Sequence, residues 1–168
     1  MTDPLIVSAV LEEDAQRDLD DQRRRYFPAQ RRVVGAHVTL FHALPGDELV
    51  AVTDALREAV DRPAPALRVD EPFGMGHGVG YRLRSHALEE VREQIARRFA
   101  GLLTDQDAQR WRPHVTVQNK VEREEARATL AELEAAHSPY DTTVTGLALW
   151  HYRRGPWEAA GDFAFRPA

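Results

Sequence analysis

Two tetrapeptides, His37-Val38-Thr39-Leu40 and His114-Val115-Thr116-Val117, carry the same H-V-T pattern inside apolar, β-branched runs. Each run reads as a strand, where successive side chains leave from opposite faces. His37 and Thr39 then share one face, as do His114 and Thr116, while Val38, Leu40, Val115 and Val117 turn into an apolar layer. An imidazole, with an ordinary pKa of about 6.5, gives or takes a proton near neutrality. Two that face each other can divide the labour, one neutral as base and one protonated as acid. Across a phosphodiester that division supports in-line displacement: water is activated on one side and the leaving oxygen protonated on the other. The threonine hydroxyls can donate to the non-bridging oxygens. No metal or cofactor is needed for this chemistry, and the sequence presents no obvious set of metal ligands. One H-V-T alone reads as a half-buried strand with a surface histidine. Two copies on two strands, in different halves of the chain, are a far more specific signal.

These side chains need a frame that brings two distant strands together. Leu5 to Leu11 reads as a buried strand, and a polar helix follows from about Glu13 to Tyr26, ending before Pro28. Arg31 to Gly35 is a connector, and Ala36 to Leu44 is the first motif strand. Asp47 is placed as the N-cap of a helix from Glu48 to about Val60, with Leu49, Val52, Leu56 and Val60 at helical spacing. A strand from Ala66 to about Pro72 leads into the glycine-rich stretch 73–80, which reads as a hairpin into the strand Val79 to Arg84. That stretch lacks the strand–turn–helix context and the acidic residue of a dinucleotide fingerprint. Ser85 caps a helix to about Phe99, and a polar loop, Thr104 to Arg112, precedes the second motif strand, Pro113 to Gln118. A helix from Glu122 to about Ala136 and two strands, Thr142 to Tyr152 and Trp157 to Phe165, complete the pattern. The order β-α-β-α-β-β-α-β-α-β-β predicts an α+β fold. It is bilobal, with two pseudo-symmetric halves, antiparallel sheets lining a central cleft and helices packed outside.

The stretches His37-Val38-Thr39-Leu40 and Pro113-His114-Val115-Thr116-Val117, with this element order, resemble the 2H phosphoesterase superfamily, in particular its 2′-5′ RNA ligase-like branch. The resemblance covers essentially the whole chain, 1–168, as one bilobal domain. It implies an enzyme that opens and hydrolyses 2′,3′-cyclic phosphates, or cleaves related 2′-5′ linkages, at an RNA end or on a nucleotide. Transferred residue by residue, His37 and His114 are the acid/base pair and Thr39 and Thr116 hold the phosphate. Which histidine is the base stays open. So does the direction, since an RNA ligase would run the same site in reverse, and so does a binding module that has lost turnover.

Around this centre the sequence offers weaker candidates for substrate contact. Phe41 shares the strand parity of His37 and Thr39 and, with Tyr81, could stack on a base. Lys120 lies near the end of the second motif strand, close enough to assist with phosphate charge. Arg31 and Arg32, with Arg23, Arg24, Arg25, Tyr26 and Phe27, could form a lip for an RNA phosphate chain. The simpler reading of that cluster is a helix C-terminus, where cations suit the macrodipole. His42 has the opposite parity to His37 and is expected to face away from the cleft.

Composition bounds the alternatives. The chain has 168 residues, 43% hydrophobic and 29% charged, the balance of a globular protein with a real core. A net charge of −5 argues against a general nucleic-acid coat protein, though not against an enzyme that grips one RNA end. There is no cysteine, hence no thiolate nucleophile, disulfide or Cys-based metal site. No apolar run approaches the roughly 20 residues of a membrane span, and Asp3 stands where a signal peptide would be basic. A cytoplasmic monomer is the default expectation.

Overall fold

The structure, a computed structural model, describes residues 2–168. Seven strands form an antiparallel sheet: β1 (Leu5–Leu11), β2 (Val38–Leu44), β3 (Ala66–Gly74), β4 (Val79–Arg84), β5 (His114–Gln118), β6 (Tyr140–Tyr152) and β7 (Trp157–Ala164). The helices are α1 (Glu13–Tyr26), α2 (Leu49–Ala59), α3 (His86–Arg98), the short α4 (Asp105–Ala108) and α5 (Arg123–Ala136). Among the described residues no helix is long and apolar enough to cross a membrane.

The order along the sheet is β2-β1-β6-β3-β4-β5, with β7 also paired to β6. The two halves are therefore joined through one long strand. The start of β6 pairs with β3 (Val69↔Tyr140, Ala66↔Thr143), and its remainder pairs with β1 and β7. The two H-x-T strands sit at opposite ends of this path. Helix α1 nevertheless packs on both β1 and β5, and β2 approaches β5, so the sheet curls until its two edges face each other. One face of β1 (Leu5, Val7, Ala9, Leu11) joins Val38, Leu40, Val115 and Val117 in the buried core. Full burial of such aliphatic side chains contributes about 1.5–3 kcal/mol each, and this alternation fixes which residues can face the cleft.

Local chemistry accounts for the element ends. The Ser85 side chain accepts from the Leu88 N–H at 3.1 Å, capping α3 as its sequence predicts. Asp47 does not cap α2. Residues 46–48 form a turn of 3₁₀ helix, and the N-cap is Glu48 without a side-chain bond. The loop expected from Thr104 to Arg112 contains α4, whose cap is the Thr104 hydroxyl accepting from the Asp107 N–H at 3.2 Å. The β3–β4 hairpin is tight because of its glycines. Gly76 has φ +81°, and a Cβ on Gly78 would lie 2.0 Å from the Gln118 carbonyl oxygen, so the hairpin closes on β5 only without side chains there.

Strand β2 departs from simple alternation. Its pairing with β1 runs Ala9↔Val38, Ser8↔Thr39, Val7↔Phe41 and Leu5↔Leu44, so extra residues are inserted on the β2 side. Leu40 and Phe41 are consecutive and both fully buried. This is a β-bulge that exchanges the faces of Phe41 and His42, and a second register shift before Leu44 returns that residue to the core.

Candidate active site

Each catalytic candidate is positioned by the backbone just before its strand. The His37 Nδ1–H donates to the Gly35 carbonyl at 2.8 Å, and the His114 Nδ1–H donates to the Arg112 carbonyl at 3.0 Å. Both contacts reach two residues back. They settle the tautomer in the neutral form and leave Nε2 as the nitrogen available to anything in the cleft. The approach to β2 is itself held by α1. Asp20 accepts from the Ala36 N–H at 2.8 Å, and the Gln16 amide donates to the Ala36 carbonyl at 2.8 Å.

His37, Thr39, His114 and Thr116 line one cleft of about 640 Å³, within the range of small-molecule sites. The cleft is the seam where the curled sheet brings β2 and β5 face to face. Free sheet edges leave backbone groups that must find partners. Here side chains take the place of a further strand. Arg23, from α1, donates to the Val34 carbonyl at 3.0 Å and to the Thr116 carbonyl of β5 at 2.7 Å. Arg92, from α3, donates to the Leu40 carbonyl of β2 at 2.9 Å and to the Asp107 carbonyl at 2.7 Å. The Trp111 indole donates to the Thr39 carbonyl at 3.0 Å. Both arginines are buried, with their guanidinium planes over Phe27 and Phe41 at 4.3 and 4.6 Å. Each ties the motif strand of one half to an element of the other.

The two imidazoles differ in surroundings. His37 is half-buried, with the Trp157 ring edge-on at 4.7 Å, and Trp157 in turn meets Trp150 at 5.9 Å. His114 is exposed, with Phe73 at 6.0 Å. Burial lowers the His37 pKa below the ordinary histidine value. The bond to the Gly35 carbonyl works against this, and the positive neighbours Arg23, His114 and His42 reinforce it. His37 is therefore biased toward the neutral imidazole. The Thr116 hydroxyl is 3.6 Å from the Met75 sulfur, a weak contact that a better acceptor can replace.

Several expected substrate contacts lie elsewhere. Phe41 does not share the cleft face, because the bulge turns it into the core at zero exposure. Tyr81 is also buried, its hydroxyl donating to Gln22 at 2.6 Å, so neither ring can stack on a base from solvent. Lys120 lies by Arg24, Arg25 and Tyr26 in a separate depression, and Arg32 lines another beside Asp20 and Gly35. Arg31 ends a short 3₁₀ turn and does not line the cleft. The arginine lip is engaged in the protein's own contacts: Arg24 pairs with Asp21, Arg25 with Glu132 at 2.9 Å, and Arg32 donates to the Arg24 carbonyl at 2.9 Å.

The same bulge brings in His42, which lines the cleft instead of facing away. Its Nδ1–H donates to Asp107 Oδ1 at 3.1 Å. Asp107 is buried and also accepts from the His42 N–H at 2.9 Å and the Ala43 N–H at 2.8 Å. Burial alone would raise this carboxyl, but the donors from His42 and Ala43 outweigh it and the pKa is lowered. Arg110, Trp111, Arg112 and Trp157, which sequence reasoning left unassigned, also line the cleft, as do Arg92 and Asp107. Among the described residues, no group of three or more His, Cys, Asp or Glu side chains is arranged to hold a metal ion.

Comparisons with known proteins agree with this frame. A sequence model of the 2′-5′ RNA ligase superfamily matches residues 11–156. The fold is similar to that of TT0787 of Thermus thermophilus, with a TM-score of 0.66 at 16% identity, covering 98% of each chain. Escherichia coli LigT complexed with NADP+ superposes with a TM-score of 0.64 at 16% identity, over 98% of this chain and 99% of LigT. LigT complexed with 3′-AMP gives a TM-score of 0.61 at 14% identity, with the same coverage. No curated protein sequence matches the chain significantly.

Proposed function

The chain belongs to the 2′-5′ RNA ligase superfamily, and we propose that within it the protein is a phosphodiesterase acting on a 2′,3′-cyclic phosphate, or a related 2′-5′ linkage, of an RNA end or nucleotide. The observation that carries this reading is the paired placement of His37-x-Thr39 and His114-x-Thr116 on facing edges of one cleft, each imidazole fixed through Nδ1. The nucleotide complexes of E. coli LigT, with 3′-AMP and with NADP+, support a nucleotide as the ligand class.

The scheme assigns each group one task. His37, half-buried and biased toward neutrality, takes a proton from water at Nε2 as the oxygen attacks phosphorus. His114, the exposed partner, donates its Nε2 proton to the ribose oxygen as the P–O bond breaks. Thr39 and Thr116 donate to the two non-bridging oxygens as charge accumulates there. Exchange with solvent restores both histidines. All proton transfers are made by the chain's own side chains.

The test is incubation with adenosine 2′,3′-cyclic phosphate and with a cyclic-phosphate-ended RNA, in the presence of a chelator. The expected result is ring opening to a single monoester, whose 2′ or 3′ position identifies the leaving oxygen. Undiminished cyclic phosphate in both assays would overturn the reading. Joining of the RNA to a 5′-hydroxyl strand, without hydrolysis, would identify the ligase direction.

A further inference from the structure

The cleft holds more side-chain donors than one reacting phosphate can use. A cyclic phosphodiester has two ester and two non-bridging oxygens. His114 serves the leaving ester oxygen, His37 serves the attacking water, and Thr39 and Thr116 serve the non-bridging pair. The same cleft is lined by His42, Arg110 and Arg112, for which no oxygen of that group remains. Arg110 and Arg112 are exposed, and neither pairs with a carboxylate among the described residues. Two free guanidinium groups on one cleft stand out in a chain of net charge −5.

His42 is built into this position at a cost. The bulge at Leu40–Phe41 turns it to the cleft face, and Asp107 anchors its Nδ1. A buried carboxylate is expensive unless its oxygens are satisfied. Asp107 also lines the cleft, at near-zero exposure, and its two oxygens are taken up by His42 and the Ala43 N–H on β2. With Nδ1 taken by Asp107, His42 keeps Nε2 as its free ring nitrogen, and Arg110 and Arg112 line the same cleft as the chain runs from α4 into β5. A cleft of about 640 Å³ has room for far more than one phosphate.

We propose that His42, Arg110 and Arg112 form a subsite for a second phosphoryl group of the substrate, separate from the one that reacts between His37 and His114. This rests on the reading of the paired H-x-T strands as the reacting site. The ligand class is a nucleotide or RNA end that carries a further phosphate beyond the cyclic one. That phosphate has two sources: a 5′-phosphate on the same nucleoside, or the linkage to the preceding nucleotide.

Calorimetric titration of the full chain compares adenosine 3′-monophosphate, adenosine 3′,5′-bisphosphate and the 3′-phosphorylated dinucleotide ApAp. The subsite predicts that at least one doubly phosphorylated ligand binds about tenfold or more tightly than the monophosphate. Which of the two gains identifies the source. It also predicts that the preference shrinks in Arg110→Gln and Arg112→Gln, both exposed positions that can change without disturbing the core. Equal affinities for all three ligands would overturn the proposal, and so would a preference that survives in the doubly substituted protein. Turnover of adenosine 2′,3′-cyclic phosphate is read separately. A preference without turnover supports the subsite and counts against the proposed reaction, whereas turnover without a preference does the reverse.

Discussion

The two motif strands are alike where protons would move and unlike where a substrate would be chosen. Each carries histidine and threonine two residues apart, and each histidine gives its Nδ1 proton to the carbonyl two residues before it. Each edge also has a carbonyl held by a buried arginine, Arg23 at β5 and Arg92 at β2. The surroundings then diverge. At β2, a tryptophan packs on His37, its pKa is lowered, and a bulge adds a third imidazole, His42. At β5, the strand is short and His114 is exposed. Symmetry supplies a pair of equivalently anchored imidazoles, and in the proposed scheme the asymmetry around them would divide their roles.

The largest effect is expected from removing either member of the symmetric part. His37→Ala or His114→Ala lowers turnover of a cyclic nucleotide by roughly 10²–10⁴-fold, measured as kcat at saturating substrate. The double variant falls little further, because the two groups act as a unit. Near-native activity in either single variant would break the equivalence of the two edges.

The arginine clamps come next and test whether the halves are locked reciprocally. Arg23→Met and Arg92→Met each strand two backbone carbonyls, at about 1–3 kcal/mol per carbonyl, read by urea unfolding. Arg92→Lys restores little, since an ammonium lacks the planar fork that reaches both oxygens. Unchanged unfolding midpoints in both Met variants would show that the edges are held by other means.

Asp107 sharpens the difference between the strands, because only β2 has this anchor. Its carboxyl is held below the ordinary value, so its contribution to stability is present above the unfolded pKa, about 3.9, and is lost as pH falls through the folded value. Asp107→Asn is expected to cost about 1–3 kcal/mol at neutral pH and to flatten the acid dependence of stability. Unfolding curves recorded at neutral and acid pH decide this. The smallest effect belongs to Trp157→Ala. Opening His37 to water raises its pKa toward the ordinary value, seen as an upward move of its NMR titration midpoint. A downward move would show that burial is not what depresses it.

Much of this frame was legible in the sequence. The largely apolar run Leu5–Leu11, the helical spacing along α2 and the Ser85 cap are local signals, and the elements form where those signals lie. The H-x-T repeat named the four residues that the fold brings to one cleft. What escaped was set by long-range geometry. A bulge has no residue signature, although Leu40-Phe41, two apolar residues side by side before a polar His42, was the clue that strand parity breaks there. Trp157 reaches His37 only because β7 adds to β6, and Trp111 reaches Thr39 only because the loop containing α4 docks on β2. Arg23 and Arg92 looked like ordinary helix cations. Their role appears once the sheet curls and leaves two edges in need of donors.

In the proposed scheme His37 and His114 divide acid and base roles on one phosphoryl group. The most direct test of that division is the pH dependence of kcat/KM for adenosine 2′,3′-cyclic phosphate in the wild type and the two single-histidine variants. The wild type should give a bell whose acid limb lies below the ordinary histidine value, because His37 must be neutral to accept the proton. His37→Ala should lose the acid limb and keep the alkaline one, and His114→Ala should do the opposite. A bell that persists unchanged in either variant would contradict the division of labour between the two strands.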